Sequence, residues 1–75
     1  METSDLIKAI RSQLGLSQEA FADVIHVAFS TVNRWENNKS TPNSMARTLI
    51  ADHCEKNNVD KELIAAIKRK KSGDK

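Results

Sequence analysis

The stretch from Ser17 to Pro42, SQEAFADVIHVAFSTVNRWENNKSTP, constrains the fold of this chain more than any other. It holds two short helical patterns separated by a tight break at Ile25-His26-Val27. Ser17 is a good N-cap for the first pattern, with Gln18 and Glu19 in its opening turn. Phe21, Ala22, Val24 and Ile25 supply the buried side, and Asp23 points out. The second pattern begins near Ala28 or Phe29 and runs to about Asn37. At about 100° per residue, Val32 and Trp35 share an inner side with Ala28 close by. Ser30, Arg34 and Asn37 fall on the opposite side, flanked by Asn33 and, less directly, by Phe29. Glu36 turns toward the inner side, where a carboxylate needs a partner.

The flanking segments read as support and brace. Thr3 or Ser4 caps a first helix, with Asp5 against the positive end of its dipole. Leu6, Ile7, Ile10 and Leu14 recur at helical spacing. Gly15 follows, where a helix end favours left-handed backbone. Residues 37–42 form a loop by composition, and Asn38 suits the left-handed residue that ends the third helix. Asn43 or Ser44 caps a fourth helix, with Met45 or Ala46, Leu49, Ile50, and His53 or Cys54 facing inward. Asn57-Asn58 ends it. Asp60 caps a fifth, Val59 staples against Ile64 across that cap, and Leu63, Ile64 and Ile67 make its apolar stripe. Ile64 and Ile67 serve either the core or a dimer seam. With two glycines, one proline and few β-branched alternations in 75 residues, the expected fold is all-α, a compact bundle of five helices.

Seventy-five residues make one domain, near the lower limit for a self-sufficient core. Cys54 is the single cysteine, so no internal disulfide forms and a reducing, cytoplasmic setting is expected. No secretory signal or bilayer-spanning run is present. Residues 1–67, read as the folded domain, carry seven Lys/Arg against nine acids. Residues 68–75, read as a flexible tail, carry five against Asp74. That tail is either a solvated, frayed terminus or a basic arm adding non-specific attraction to phosphate. His26, His53 and Cys54 do not make a metal site, because adjacent His and Cys cannot easily ligate one ion. Cys54 reads as a small buried hydrophobe. No phosphate-binding glycine loop, HExxH or nucleophile–His–acid arrangement appears, so neither a cofactor nor an enzymatic activity is expected.

A two-helix unit with a short joint can project one helix out of a small domain, and only a protruding helix fits the DNA major groove. The outer face of the third helix has the chemistry that groove presents. Arg34 can bond guanine O6 and N7 together, Asn33 or Asn37 can pair with adenine, and Ser30 can donate or accept. Phe29 can touch a thymine methyl, bury against the second helix or mediate self-association. Gln18, at the start of the second helix, is placed to hold a backbone phosphate.

Residues 11 to about 50 resemble the Cro/C1-type (XRE-type) helix-turn-helix family of phage repressors, controller proteins and antitoxins. The resemblance is carried by Leu14-Gly15-Leu16-Ser17-Gln18, Phe21-Ala22, Val27, Val32, and Trp35-Glu36-Asn37 with Pro42 following. The run from Trp35-Glu36 through Pro42 to Met45-Ala46-Arg47 is similar to the small-regulator and antitoxin branch. The resemblance implies a lambda-repressor-like domain in which Ala28, Phe29, Ser30 and Arg34 face bases. It further implies that Gln18, Asn37 and Lys39 contact phosphates, and that Arg11 reaches Glu36 in an architectural ion pair. Three positions depart from the family pattern: His26 and Asn38 stand where glycine is usual, and Ala28 stands where a capping Ser or Thr is usual.

The expected function is sequence-specific binding of double-stranded DNA by a small, repressor-like transcriptional regulator. Two copies are expected to occupy a palindromic operator as a homodimer. The alternative is a protein-interaction module, an antitoxin or co-activator-like domain that binds a partner protein.

Overall fold

In the computed structural model, which describes residues 2–69, five helices follow one another. They are α1 (Thr3–Leu14), α2 (Gln18–Val24), α3 (Phe29–Glu36), α4 (Ser44–Lys56) and α5 (Lys61–Lys68). No strand occurs among the described residues, and none of their helices is long and apolar enough to cross a membrane.

One turn chemistry closes the first four helices. Gly15, His26, Asn38 and Asn58 adopt left-handed backbone, with φ of 71°, 64°, 60° and 59°. The amide of the following residue then reaches back over the helix end. Leu16 bonds the Arg11 carbonyl at 3.1 Å, Val27 that of Ala22 at 3.0 Å, Lys39 that of Arg34 at 2.9 Å, and Val59 that of Cys54 at 3.1 Å. This Schellman arrangement satisfies carbonyls that a helix end otherwise leaves open. Asparagine and histidine are among the side chains that best tolerate the left-handed region, so the turn survives without glycine at three of its four occurrences.

Side chains open most of the helices. Ser17 Oγ accepts from the Ala20 amide at 3.1 Å, Asn43 Oδ1 from that of Ala46 at 2.9 Å, and Asp60 Oδ1 from that of Glu62 at 2.9 Å. The expectation for α1 is corrected: it starts after Glu2 with no side-chain cap, so Thr3 and Ser4 lie inside its first turn. Asn43, not Ser44, caps α4.

The core is one cluster drawn from every helix, with Ile7, Ile10, Phe21, Val32, Ile50 and Ile67 among its most enclosed members. Ile64 is 8% exposed and Ile67 fully enclosed, so both belong to this core rather than to a dimer seam. On α4 the inner positions are Ala46, Ile50, Ala51 and Cys54, while Met45 is 73% exposed. Enclosure, reinforced by the neighbouring Glu55 charge, pushes the Cys54 thiol up to about 11, which keeps it protonated and unreactive at neutral pH. Helix α1 packs on α3 and on α5, α2 packs on α3, and α4 packs on α5. The third helix is thus held by α1 and α2, with α4 and α5 as a brace beyond α1.

The brace is tied off by a residue that helical periodicity did not single out. Arg47, only 9% exposed, donates through Nη1 to the carbonyls of Ile67 at 3.3 Å and Arg69 at 3.2 Å, closing the end of α5. Lys68 Nζ lies 2.7 Å from Glu55. Residues 68 and 69 thus contact α4, and the rest of the expected basic tail, residues 70–75, lies outside the described residues.

Candidate nucleic-acid interface

Helix α3 is short, and its two sides differ sharply. Val32 and Trp35 are enclosed against the core and Glu36 is turned inward with them. Ala28, Phe29, Ser30, Arg34 and Asn37 are exposed, as is Lys39 just beyond the turn. Phe29 keeps half of its surface in solvent. No acidic side chain stands on this outward side. Ala28 occupies the N-cap with extended backbone and offers no side-chain acceptor, so the first amides of α3 carry no side-chain cap.

The orientation of α3 is set by a polar network beneath it. Arg11, from α1, clamps Glu36 with two bonds, Nε to Oε2 at 2.7 Å and Nη2 to Oε1 at 3.0 Å. Its remaining arm, Nη1, donates to the Leu16 carbonyl at 3.0 Å, so one guanidinium joins α1, the entry to α2, and α3. Burial works to raise the Glu36 pKa. Bonds from Arg11 and Gln18 and the charges of Arg11 and Lys8 outweigh it and hold the carboxyl below its ordinary value. The Arg11 guanidinium is shifted up, chiefly by its bond to Glu36 and against its own desolvation.

Three amides extend this network to the edge of the exposed face. Gln18 Nε2 donates to Glu36 Oε1 at 2.9 Å, and Asn33 Nδ2 donates to Gln18 Oε1 at 3.1 Å. Asn37 Nδ2 lies 2.9 Å from the Asn33 carbonyl and 3.1 Å from Asn33 Oδ1. Gln18 and Asn33 are half-buried as a result, whereas Ser30, Arg34 and Lys39 make no side-chain hydrogen bond within the described residues. No buried side-chain polar atom lacks a partner there, and no cluster of three or more metal-ligating side chains occurs.

Sequence reasoning missed the amide network because its links cross from α2 to α3. The residue types were visible, but no spacing rule pairs position 18 with position 33. It missed Arg47 as well. Its place three before Ile50 and four before Ala51 puts it on the inner stripe, and that was the available signal.

Residues 7–52 match a family model described as Helix-turn-helix. Antitoxin HigA-2 of Vibrio cholerae serotype O1 is 39% identical to this chain over 46 residues, which cover 61% of the chain and 44% of that protein. The chain thus spans less than half the length of this curated relative. No solved structure matches it. The family match takes in α2, the turn at His26, α3 and most of α1 and α4, and the chain belongs to the XRE-type helix-turn-helix family of DNA-binding domains.

Proposed function

We propose that the chain is a small, repressor-like transcriptional regulator that binds double-stranded DNA in a sequence-specific manner. Helix α3 enters the major groove, α2 lies across the backbone, and two copies occupy the half-sites of a palindromic operator. The observation that carries this reading is the division of α3, with Val32 and Trp35 enclosed on one side and Ser30 and Arg34 free on the other. Arg34 takes the bidentate guanine role, while Ala28, Phe29 and Ser30 line the base edges. Gln18 and Lys39 supply phosphate contacts.

The test is selection from random duplex DNA at two salt concentrations, with the full chain and with Arg34→Ala. Enrichment of a palindromic motif that loses its preference at one base position in the variant supports the reading. Uniform, salt-sensitive binding with no motif refutes it.

A second role is favoured by the relative named an antitoxin and by Phe29 and Met45, the two large apolar side chains left exposed among the described residues. In that role the chain also binds a partner protein, and the two activities are compatible. Stoichiometric co-purification of a partner from the native host supports it, and recovery of the chain alone counts against it.

A further inference from the structure

The amide network beneath α3 has a direction that chemistry imposes. A carboxylate only accepts hydrogen bonds, and a guanidinium only donates them. Gln18 must therefore turn its nitrogen to Glu36, 2.9 Å away, which leaves its oxygen toward Asn33. Asn33 must answer with its own nitrogen, so its oxygen faces Asn37 at 3.1 Å. Asn37 is then bound to point its nitrogen inward, where it also meets the Asn33 carbonyl at 2.9 Å. Every amide orientation follows from the one before it, back to the Arg11–Glu36 pair.

This direction decides what each amide offers to DNA. Reading adenine takes both edges of one carboxamide on one base, the oxygen accepting from N6 and the nitrogen donating to N7. Both ends of the Asn33 carboxamide are already engaged, its oxygen by Asn37 and its nitrogen by Gln18, so turning it to present both ends to one adenine breaks those bonds. Asn37 commits its nitrogen to Asn33, at the backbone carbonyl and at Oδ1, and its oxygen can only accept, so in this orientation it has little to offer a phosphate. Gln18 retains one N–H on Nε2 and can still donate to a phosphate.

We infer that Asn33 is a positioning residue and not a base reader, and that Asn33 and Asn37 lock the phosphate-gripping Gln18 of α2 to α3 in one register. Among the polar side chains of α3, base preference then rests on Ser30 and Arg34. The inference builds on the placement of α3 in the major groove, and it reassigns Asn33 from adenine contact and Asn37 from phosphate contact.

The test has two arms, run on the full chain with Asn33→Ala and Gln18→Met after melting shows both to be folded. The first arm uses no DNA: side-chain amide signals of Gln18, Asn33 and Asn37 are followed by NMR. Gln18→Met is expected to move the Asn37 side-chain signals, although residues 18 and 37 share no bond. Unmoved Asn37 signals overturn the locked register. The second arm is random-duplex selection with affinity measurement. Asn33→Ala is expected to weaken binding to all sequences alike, by about 2- to 10-fold as for one lost hydrogen bond, with every base preference kept. Loss of an adenine preference at one half-site position, with the others intact, overturns the assignment. If the unaltered chain enriches no motif, the groove reading itself has failed, and the amide signals alone decide whether the lock exists.

Discussion

Arg11 and Glu36, twenty-five residues apart in the chain, meet through two hydrogen bonds of 2.7 and 3.0 Å, with the Glu36 side chain only 3% exposed. The pair joins the first helix to the end of the third, so the angle of α3 depends on a contact outside the helix-turn-helix itself. Removing Arg11 leaves the enclosed Glu36 carboxylate without its counter-charge. Arg11→Met is expected to cost about 3 kcal/mol, read by urea unfolding. A double variant, Arg11→Met with Glu36→Leu, should be more stable than Arg11→Met alone, since no charge is then stranded.

Acid should expose the same pair. The folded-state pKa of Glu36 lies below its ordinary value of 4.5. Its contribution is therefore fully present above pH 4.5 and is lost as pH falls through the lower folded value. The melting temperature of the unaltered chain should decline below about pH 4.5. In Glu36→Gln that part of the decline should be missing, and parallel curves for the two proteins would contradict the assignment.

Two backbone variants test the turn chemistry with opposite signs. His26 sits at φ 64°, so His26→Gly should stabilise the chain, by about 0.5–1 kcal/mol once the added freedom of the unfolded chain is discounted. Gly15 sits at φ 71° and a Cβ added there meets nothing within 4 Å, so Gly15→Ala reports backbone strain with no clash, less the freedom alanine removes from the unfolded chain. It should destabilise by about 0.5–1 kcal/mol. Thermal melts of the two variants check both signs.

Arg47 is expected to govern the end of α5. Arg47→Met keeps the apolar stem but removes the donor to the Ile67 and Arg69 carbonyls, at a cost of about 1.5–3 kcal/mol. Amide exchange should speed up in the last turn of α5 before it changes in α2 or α3. A uniform acceleration across all five helices would mean that Arg47 supports the whole core.

Lys39 separates phosphate contact from base reading. It is exposed, and its amide closes the turn after α3. Lys39→Ala should weaken all duplexes about equally and lower the slope of log affinity against log salt by about 1. Arg34→Ala should instead cost about 1–3 kcal/mol on the preferred sequence and relax one base position. Equal salt slopes before and after Lys39→Ala would remove it from the phosphate contacts.

Most of the architecture was readable from short-range signals. Apolar residues at helical spacing located all five helices, and Ser17 and Asp60 marked two of their starts. Gly15, Asn38 and Asn58 marked ends because left-handed backbone favours a small set of residues, a constraint that acts within one turn. The opposition of Val32 and Trp35 to Ser30 and Arg34 likewise follows from the 3.6-residue period alone. Other features waited for the assembled molecule. Ile64 and Ile67 carry the same stripe whether they face a core or a second copy, and only the packing of α5 on α4 and α1 encloses them. Met45 and Ala46 are adjacent candidates for one inward place, and the packing of α4 gave it to Ala46. The chain from Arg11 through Glu36, Gln18 and Asn33 to Asn37 has no sequence signature, because its links run between helices. Its direction arises only when a charged pair, which can be oriented one way, is brought against amides, which can be oriented two ways. Periodicity and capping are local, so a linear sequence displays them. Burial of polar groups and the facing of their donors and acceptors depend on which surfaces meet, and three-dimensional packing alone settles that.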